Sequence, residues 1–185
     1  MSIKFKVIIG VIVVLLLGTF GLLYVTTQSY NKNIELIAKK TLANAKESFA
    51  NLQKNDYKMM SVLIEQIVKR PDLKSAFMAG DRDKLISIIQ PEYDIYKSKY
   101  GITQYNYYLP GDTSTLFLAM SNTAKYGQKI GLDRRTLYDA VKTQKMTQGL
   151  ELGTQGYAIR VTVPYFDGEK LIGYFGLGEE INKFC

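Results

Sequence analysis

Arg160 stands in the middle of a segment whose side chains alternate as they do in a β-strand. Ala158 and Thr162, its neighbours on one face of the strand, are both small. We expect the other face to belong to the core, and its residues are Tyr157, Ile159, Val161 and Val163. If a loop or helix covers Arg160, the paired N–H donors of the guanidinium can bind a carboxylate or phosphate group. Arg160 is therefore our first candidate for recognition of an anionic ligand.

Acidic residues offer simpler explanations for the candidate arginines. Glu151 is itself a candidate ligand contact, and it is also a possible partner for Arg160 in a purely structural ion pair. Arg135 is a further candidate, but it precedes Asp139 by four residues, which is the spacing of a surface ion pair on a helix. The sequence leaves both alternatives open.

Tyr105 and Tyr107 share one face of a predicted strand. Together they would form an aromatic wall around a ligand. Taken singly, each tyrosine fits a core position better than a ligand contact. We retain both as candidate site residues beside the core alternative.

Composition argues against most catalytic and metal sites. The chain of 185 residues has no histidine, and its single cysteine is Cys185. The commonest general base and the multi-cysteine metal motifs are therefore excluded. No nucleophile–base pair stands out, so we expect neither an enzyme nor a bound metal or cofactor. The net charge of +7 comes from lysines interleaved with acids, which predicts a solvated surface and no nucleic-acid partner.

The segment Val7–Val25 has no charged residue. About 20 apolar residues are enough for a helix to span a bilayer. Lys4 and Lys6 precede the segment and uncharged residues follow it, so the positive-inside rule predicts a cytoplasmic N-terminus and an extracytoplasmic body. We expect an uncleaved single-pass anchor within residues 1–28, lodged in the inner membrane. A cleaved signal peptide is the alternative, although no small-residue cleavage site follows the segment.

A long amphipathic helix is predicted after the anchor. Apolar residues recur at steps of three or four from Ile34 to Ile67, and Pro71 is expected to end the helix. Two interpretations of this apolar stripe are equally consistent with its width. It packs on its own domain, or part of it meets the same helix of a second chain in a homodimer.

The remaining elements follow from turn residues and changes of period. We expect a short helix over Asp72–Ala79, a helix Arg82–Lys99 capped by Asp81, strands Ile102–Leu109 and Ser114–Met120, a helix Arg134–Gln144 capped by Asp133, and a two-stranded hairpin over Gly149–Gly178. Pro91 should kink its helix or divide it in two. The fold class is α+β, an antiparallel sheet with helices to one side.

Several motifs together are typical of one family. They are Gly101-Ile102-Thr103-Gln104, Tyr126-Gly127 followed by Arg135, and Gly149-x-Glu151-x-Gly153-x-x-Gly156-x-x-x-Arg160-x-x-x-Pro164 followed by Gly173. With its membrane helix and predicted sheet, the chain resembles the Cache sensor domains of the type 3 double-Cache group. Such domains occur in methyl-accepting chemotaxis receptors, sensor histidine kinases and diguanylate cyclases.

The resemblance implies a PAS-like sheet flanked by helices, with residues 29–185 forming an extracytoplasmic sensor domain. It implies a small-molecule ligand, and our function hypothesis is the sensing domain of a chemoreceptor. The sensor half of a kinase or diguanylate cyclase, and a non-sensing envelope interaction protein, are the alternatives. Relatives often carry an arginine where Ala119 stands and an acid where Gln128 stands, so we expect a different or more weakly bound ligand. The second membrane helix and output module that the family implies are not within this sequence, so we expect a sensor portion of a larger protein or a truncated reading frame.

Overall fold

The computed structural model describes residues 3–111, 114–131, 134–153 and 156–181. Its elements in chain order are α1 (Ile3–Ile67), α2 (Pro71–Met78), α3 (Arg82–Tyr100), β1 (Ile102–Leu109), β2 (Thr115–Ala119), α4 (Arg135–Thr143), β3 (Thr147–Gly153), β4 (Gly156–Asp167) and β5 (Lys170–Glu180). The chain divides into two compact units, Met1–Asn51 and Leu52–Cys185.

In the first unit, the described residues belong to α1. The predicted membrane segment Val7–Val25 is helical throughout, and the helix is long and apolar enough to cross a membrane. Beyond it, the stripe residues Ile34, Leu42 and Phe49 are exposed. Within the first unit, the described residues therefore give this part of the stripe no apolar cover.

In the second unit, the last turns of α1 contribute Met60, Ile64 and Ile67 to the core, each at most 1% exposed. The interpretation that the stripe packs on its own domain is thus confirmed for the end of the helix. The helix ends at Ile67, and Pro71 begins α2, where its missing N–H breaks no helical hydrogen bond.

The five strands form one antiparallel sheet in the order β2-β1-β5-β4-β3. Successive side chains of a strand point to opposite faces. Tyr107 of β1 lies in the cluster that contains α2, α3 and the end of α1, whereas Tyr108 lies in a second cluster with Leu137 and Ala140 of α4. Helices therefore cover both faces. The predicted α+β class, an antiparallel sheet flanked by helices, is confirmed, and the expectation that the helices lie to one side is wrong.

An aromatic group fills the larger core. The Phe77 ring of α2 packs against the rings of Tyr107, Phe117 and Tyr165, with centroids 5.2, 5.0 and 5.6 Å away. Aromatic side chains bury the most apolar area of any residue type, so these contacts account for much of the attachment of α2 to the sheet.

Three local predictions need correction. The segment Gly149–Gly178 contains parts of three strands, because β3 pairs with β4 along its whole length. Strand β3 is not predicted from the sequence, because its glycines and polar residues lack the β-branched and aromatic side chains typical of strands. The predicted division of the helix at Pro91 is wrong, because α3 continues through Pro91 as one element with Leu85 and Tyr93 buried on either side, and the alternative of a kink there stays a prediction. Tyr157, predicted in the core, is 54% exposed near the start of β4.

The predicted cap of α3 is confirmed, since the Asp81 side chain accepts a hydrogen bond from the Lys84 backbone N–H at 3.0 Å. Gly101 ends that helix in the left-handed conformation, with φ of 71°. The predicted cap of α4, Asp133, lies outside the described residues. The position before α4 is held by Arg134, whose side chain makes no capping hydrogen bond.

Candidate ligand-binding site

A cleft of about 250 Å³ lies on the α4 face of the sheet. Its floor includes Gln104, Asn106 and Tyr108 of β1, and Arg134 lines it from the start of α4. The loop over residues 121–131, which we call the lid loop, contributes further lining residues, among them Lys125. Pockets for drug-sized ligands run from roughly 300 to 1,000 Å³, so this cleft suits a smaller, metabolite-sized molecule.

The alternation of β1 decides which of its residues reach the cleft. Gln104, Asn106 and Tyr108 point towards it, so Tyr105 and Tyr107 point away. Both tyrosines are fully buried in the core beneath α2 and α3. Burial raises the pKa of each hydroxyl well above its ordinary value. The structure thus places these two candidates in the core and does not bring them to the cleft.

Arg160 is held beside Glu151 within the sheet. Both residues are 5% exposed, and the Arg160 Nε atom lies 3.1 Å from Glu151 Oε2. The other oxygen of Glu151 accepts a hydrogen bond from the Thr136 backbone N–H, in the first turn of α4. A carboxylate is favourable at a helix N-terminus, so Glu151 stabilises both α4 and the buried arginine. The ion pair considered from the sequence is therefore present.

This ion pair does not satisfy the arginine. The two side chains are close, but their relative orientation does not make a hydrogen bond. Among the described residues, three of their buried atoms have no hydrogen-bond partner: Arg160 Nε, Arg160 Nη2 and Glu151 Oε2. Burial, followed by the positive charge of Arg134, lowers the pKa of the Arg160 guanidinium from its ordinary value. Buried donors of a charged group are costly to leave unpaired, so the site favours an additional acceptor.

Arg134 brings a second guanidinium to the same place. Its Nη1 atom is also buried without a hydrogen-bond partner. A Cβ atom at Gly153 would lie 3.2 Å from Arg160 Nη2 and 3.4 Å from Arg134 Nη1, so the missing side chain leaves room for both groups. Arg134 lines the cleft and also a cavity of about 10 Å³ that Arg160 and Glu151 line. Two cations thus adjoin one carboxylate next to the cleft.

The charge arrangement suits an anionic group. Three cations lie in or next to the cleft, namely Arg134, Arg160 and Lys125, and two carboxylates accompany them, Glu151 and Glu180. Glu180 also lines the cleft, and it accepts a hydrogen bond from Gln104 Nε2 at 3.4 Å. A carboxylate or phosphate entering the cleft would offer acceptors to the unpaired N–H groups. The buried Asn106 Oδ1 also lacks a partner among the described residues, and it would accept from an N–H or O–H of the same molecule.

Arg135, the other arginine predicted from the sequence, points elsewhere. Its side chain is 75% exposed and pairs with Asp139 at 3.2 Å, as the surface alternative expects. Sequence reasoning missed its neighbour Arg134. The buried face of α4 includes Leu137 and Ala140, and Arg134 precedes Leu137 by one helical step of three. Extending that apolar face backwards would have selected Arg134.

Among the described residues, no group of three or more Cys, Asp or Glu side chains is placed to hold a metal ion. The residues that line the cleft present hydrogen-bonding and charged groups suited to binding.

Comparison with known proteins gives one family. The family described as the double sensory domain of two-component sensor kinases, dCache_3, matches residues 36–185. No curated protein shows a significant sequence match.

Solved structures share the fold. The sensor domain of DcuS from E. coli is 14% identical, with 71% of this chain and 92% of that domain covered and a TM-score of 0.56. The ligand-binding domain of the Campylobacter jejuni chemoreceptor Tlp3, in complex with 4-methylisoleucine, is 15% identical at a TM-score of 0.51, covering 70% of this chain and 52% of that one. The sensor domain of the V. cholerae histidine kinase DctB is 14% identical at a TM-score of 0.50, covering 77% and 57%. The chain spans just over half the length of the latter two domains.

Proposed function

Because this chain belongs to the dCache_3 family, the double sensory domain of two-component sensor kinases, we propose that it is the ligand-sensing region of a membrane-anchored receptor. The ligand is a small molecule with an anionic group, bound between the sheet and the lid loop. One observation carries the proposal: Arg134 lines the cleft with a buried, unpaired Nη1 group, and the buried, unpaired N–H groups of Arg160 lie beside it at Gly153.

Each lining residue has a defined part in this proposal. The anionic group accepts from Arg134 and pairs with Lys125 of the lid loop, while Arg160 supports it from beneath. Asn106 and Glu180 receive the donors of the ligand. Arg135, Tyr105 and Tyr107 take no direct part. The protein is a binding domain and catalyses no reaction.

For the membrane arrangement, we propose that residues 1–28 form the cytoplasmic tip and a single transmembrane helix, and that residues 29–185 lie outside the inner membrane. The exposed apolar residues of α1, including Ile34, Leu42 and Phe49, support a homodimer through this helix. A ligand then signals by binding one position of the helices more tightly than another.

For the output we propose a chemoreceptor. A sensor kinase is the second candidate, since the family description names that class. Reading the coding sequence downstream of Cys185 distinguishes them. A second membrane helix followed by a long heptad helix with methylation sites supports the chemoreceptor, and a kinase module overturns that part of the proposal.

The binding proposal is tested by thermal unfolding of the full chain in detergent micelles. The panel consists of acetate, succinate, L-aspartate and L-valine, together with larger sets of amino acids and organic acids, each beside the analogue in which a carboxamide replaces the carboxylate. We expect at least one carboxylate to raise Tm while its carboxamide does not. Arg134→Gln should remove that rise. Stabilisation by no member of the panel would instead favour a non-sensing envelope protein.

A further inference from the structure

The lid loop is fastened to the domain in two different ways. Its second half pairs with β2 through the backbone: Leu116 N–H donates to Gln128 O at 2.9 Å, and Gly127 N–H donates to Leu116 O at 2.8 Å. Its first half, residues 121–126, is exposed; Asn122 N–H donates to Ala119 O at the end of β2 at 3.1 Å, and the turn then closes on itself through the bond from Lys125 N–H to Asn122 O at 3.1 Å. The two halves therefore differ in what fixes them.

Arg82, the first residue of α3, contacts this exposed turn. Its Nη2 atom donates to the Thr123 carbonyl at 2.6 Å, and its guanidinium carbon lies 3.8 Å from the centre of the Tyr126 ring. Its Nε atom donates to the Phe117 carbonyl of β2 at 3.0 Å. Among the hydrogen bonds of the described residues, the bond from Arg82 is the one that joins the turn 123–126 to a helix.

The position of Arg82 makes these contacts a bridge between layers. Helix α3 packs on the sheet face opposite the cleft, where Leu85 and Ile89 are buried. Strand β2 is at the edge of the sheet, so the side chain reaches the lid loop past that edge. One side chain thus connects the helical layer to the cover of the cleft.

Lys125, one of the lid residues that line the cleft, lies between the two residues that Arg82 holds. We propose that Arg82 is a latch: it holds the first half of the lid loop against the domain and so positions Lys125 over the bound ligand. This inference rests on the proposed function, since it assigns the lid loop a part in ligand capture. It also means that opening the lid breaks the contacts of Arg82 with Thr123 and Tyr126, whereas its hydrogen bond to the Phe117 carbonyl of β2 involves no lid residue.

Hydrogen–deuterium exchange of the full chain in lipid nanodiscs, with no ligand present, tests the latch. In Arg82→Ala, we expect exchange of the amides in residues 121–126 to rise about tenfold, because a hydrogen bond from a charged donor and a cation–π contact are lost. Amides of β1 and β4 should keep their wild-type rates. The matched control Lys84→Ala removes an exposed cation from the same helix and should leave the lid loop unchanged.

Two further variants separate the latch from a general loss of fold. Arg82→Lys keeps the charge but has no planar fork for simultaneous contacts, so its lid exchange should be intermediate. Tyr126→Leu leaves the hydrogen bonds of Arg82 in place and should raise lid exchange by a smaller factor. Wild-type exchange at residues 121–126 in both Arg82 variants would overturn the proposal. So would an equal rise throughout the sheet in both Arg82→Lys and Tyr126→Leu.

The latch and the proposed function fail in different measurements. The difference in exchange between the wild type and the Arg82 variants, measured without ligand, depends on the contacts of Arg82 and not on ligand binding. Failure of the sensing proposal would appear as a lack of stabilisation by every carboxylate in the thermal panel.

Discussion

Replacing Glu151 with glutamine tests the electrostatics of the site. The carboxylate is 5% exposed and lies 3.1 Å from Arg160, and it is adjoined by the second cation, Arg134. Removing one partner of a buried ion pair typically costs about 3–5 kcal/mol. The glutamine oxygen can still accept from the Thr136 N–H, so we take the lower end, about 3 kcal/mol. At roughly 3 °C per kcal/mol for a chain of this size, Tm should fall by about 10 °C.

Thermal and denaturant unfolding of the full chain in detergent micelles measure this loss. The double variant Glu151→Gln/Arg160→Met removes both charges of the pair and should recover about 2 kcal/mol of it, because Glu151→Gln leaves two arginines without the carboxylate and the double variant leaves only Arg134. Added acetate should stabilise Glu151→Gln more than wild type, since it supplies the missing anion. A loss below about 1 kcal/mol in Glu151→Gln, with no recovery in the double variant, would refute a charge-dependent site.

Three further predictions concern other parts of the domain. Arg135→Ala should change stability by less than about 0.5 kcal/mol in denaturant unfolding, because its ion pair is exposed, and a loss above about 1 kcal/mol would contradict this. Phe77→Ala should cost about 3–5 kcal/mol by the same method, because it empties the aromatic group, and a loss below about 1 kcal/mol would show that α2 is held otherwise. The contribution of Tyr105 and Tyr107 to the free energy of unfolding should be fully present below about pH 10 and should be lost as the pH rises further, because the unfolded chain releases their protons more readily than the folded one. Phenolate absorbance and circular dichroism should therefore change together, and ionisation of these tyrosines without unfolding would contradict their burial.

Much of the fold was predictable because its signals are local. The strand Ile102–Leu109 was predicted with its observed bounds, and the cap Asp81 starts α3 as expected. The family-level motifs around Gly149–Arg160 correctly identified a type 3 double-Cache domain. Strand β3 was missed because pairing with β4, and not its own propensity, makes it a strand.

The site was only partly predictable, because its charges come together through tertiary contacts. The sequence indicates the proximity of Arg160 and Glu151 as one alternative, since both lie in the glycine-rich segment Gly149–Gly178. The approach of Arg134 depends on how α4 packs against the sheet, which no local pattern specifies. The bridge from Arg82 to the lid loop spans 41 residues of sequence and was invisible for the same reason.

Calorimetric titration tests most directly whether the cleft binds an anion through Arg134. The full chain in nanodiscs is titrated with the carboxylate that gives the largest thermal shift, and separately with its carboxamide. We predict that the wild type binds the carboxylate, and that affinity falls at least about tenfold either with the carboxamide or in Arg134→Gln, since each change removes one charge of the pair. Equal affinity for carboxylate and carboxamide, or unchanged affinity in Arg134→Gln, would contradict the proposed site.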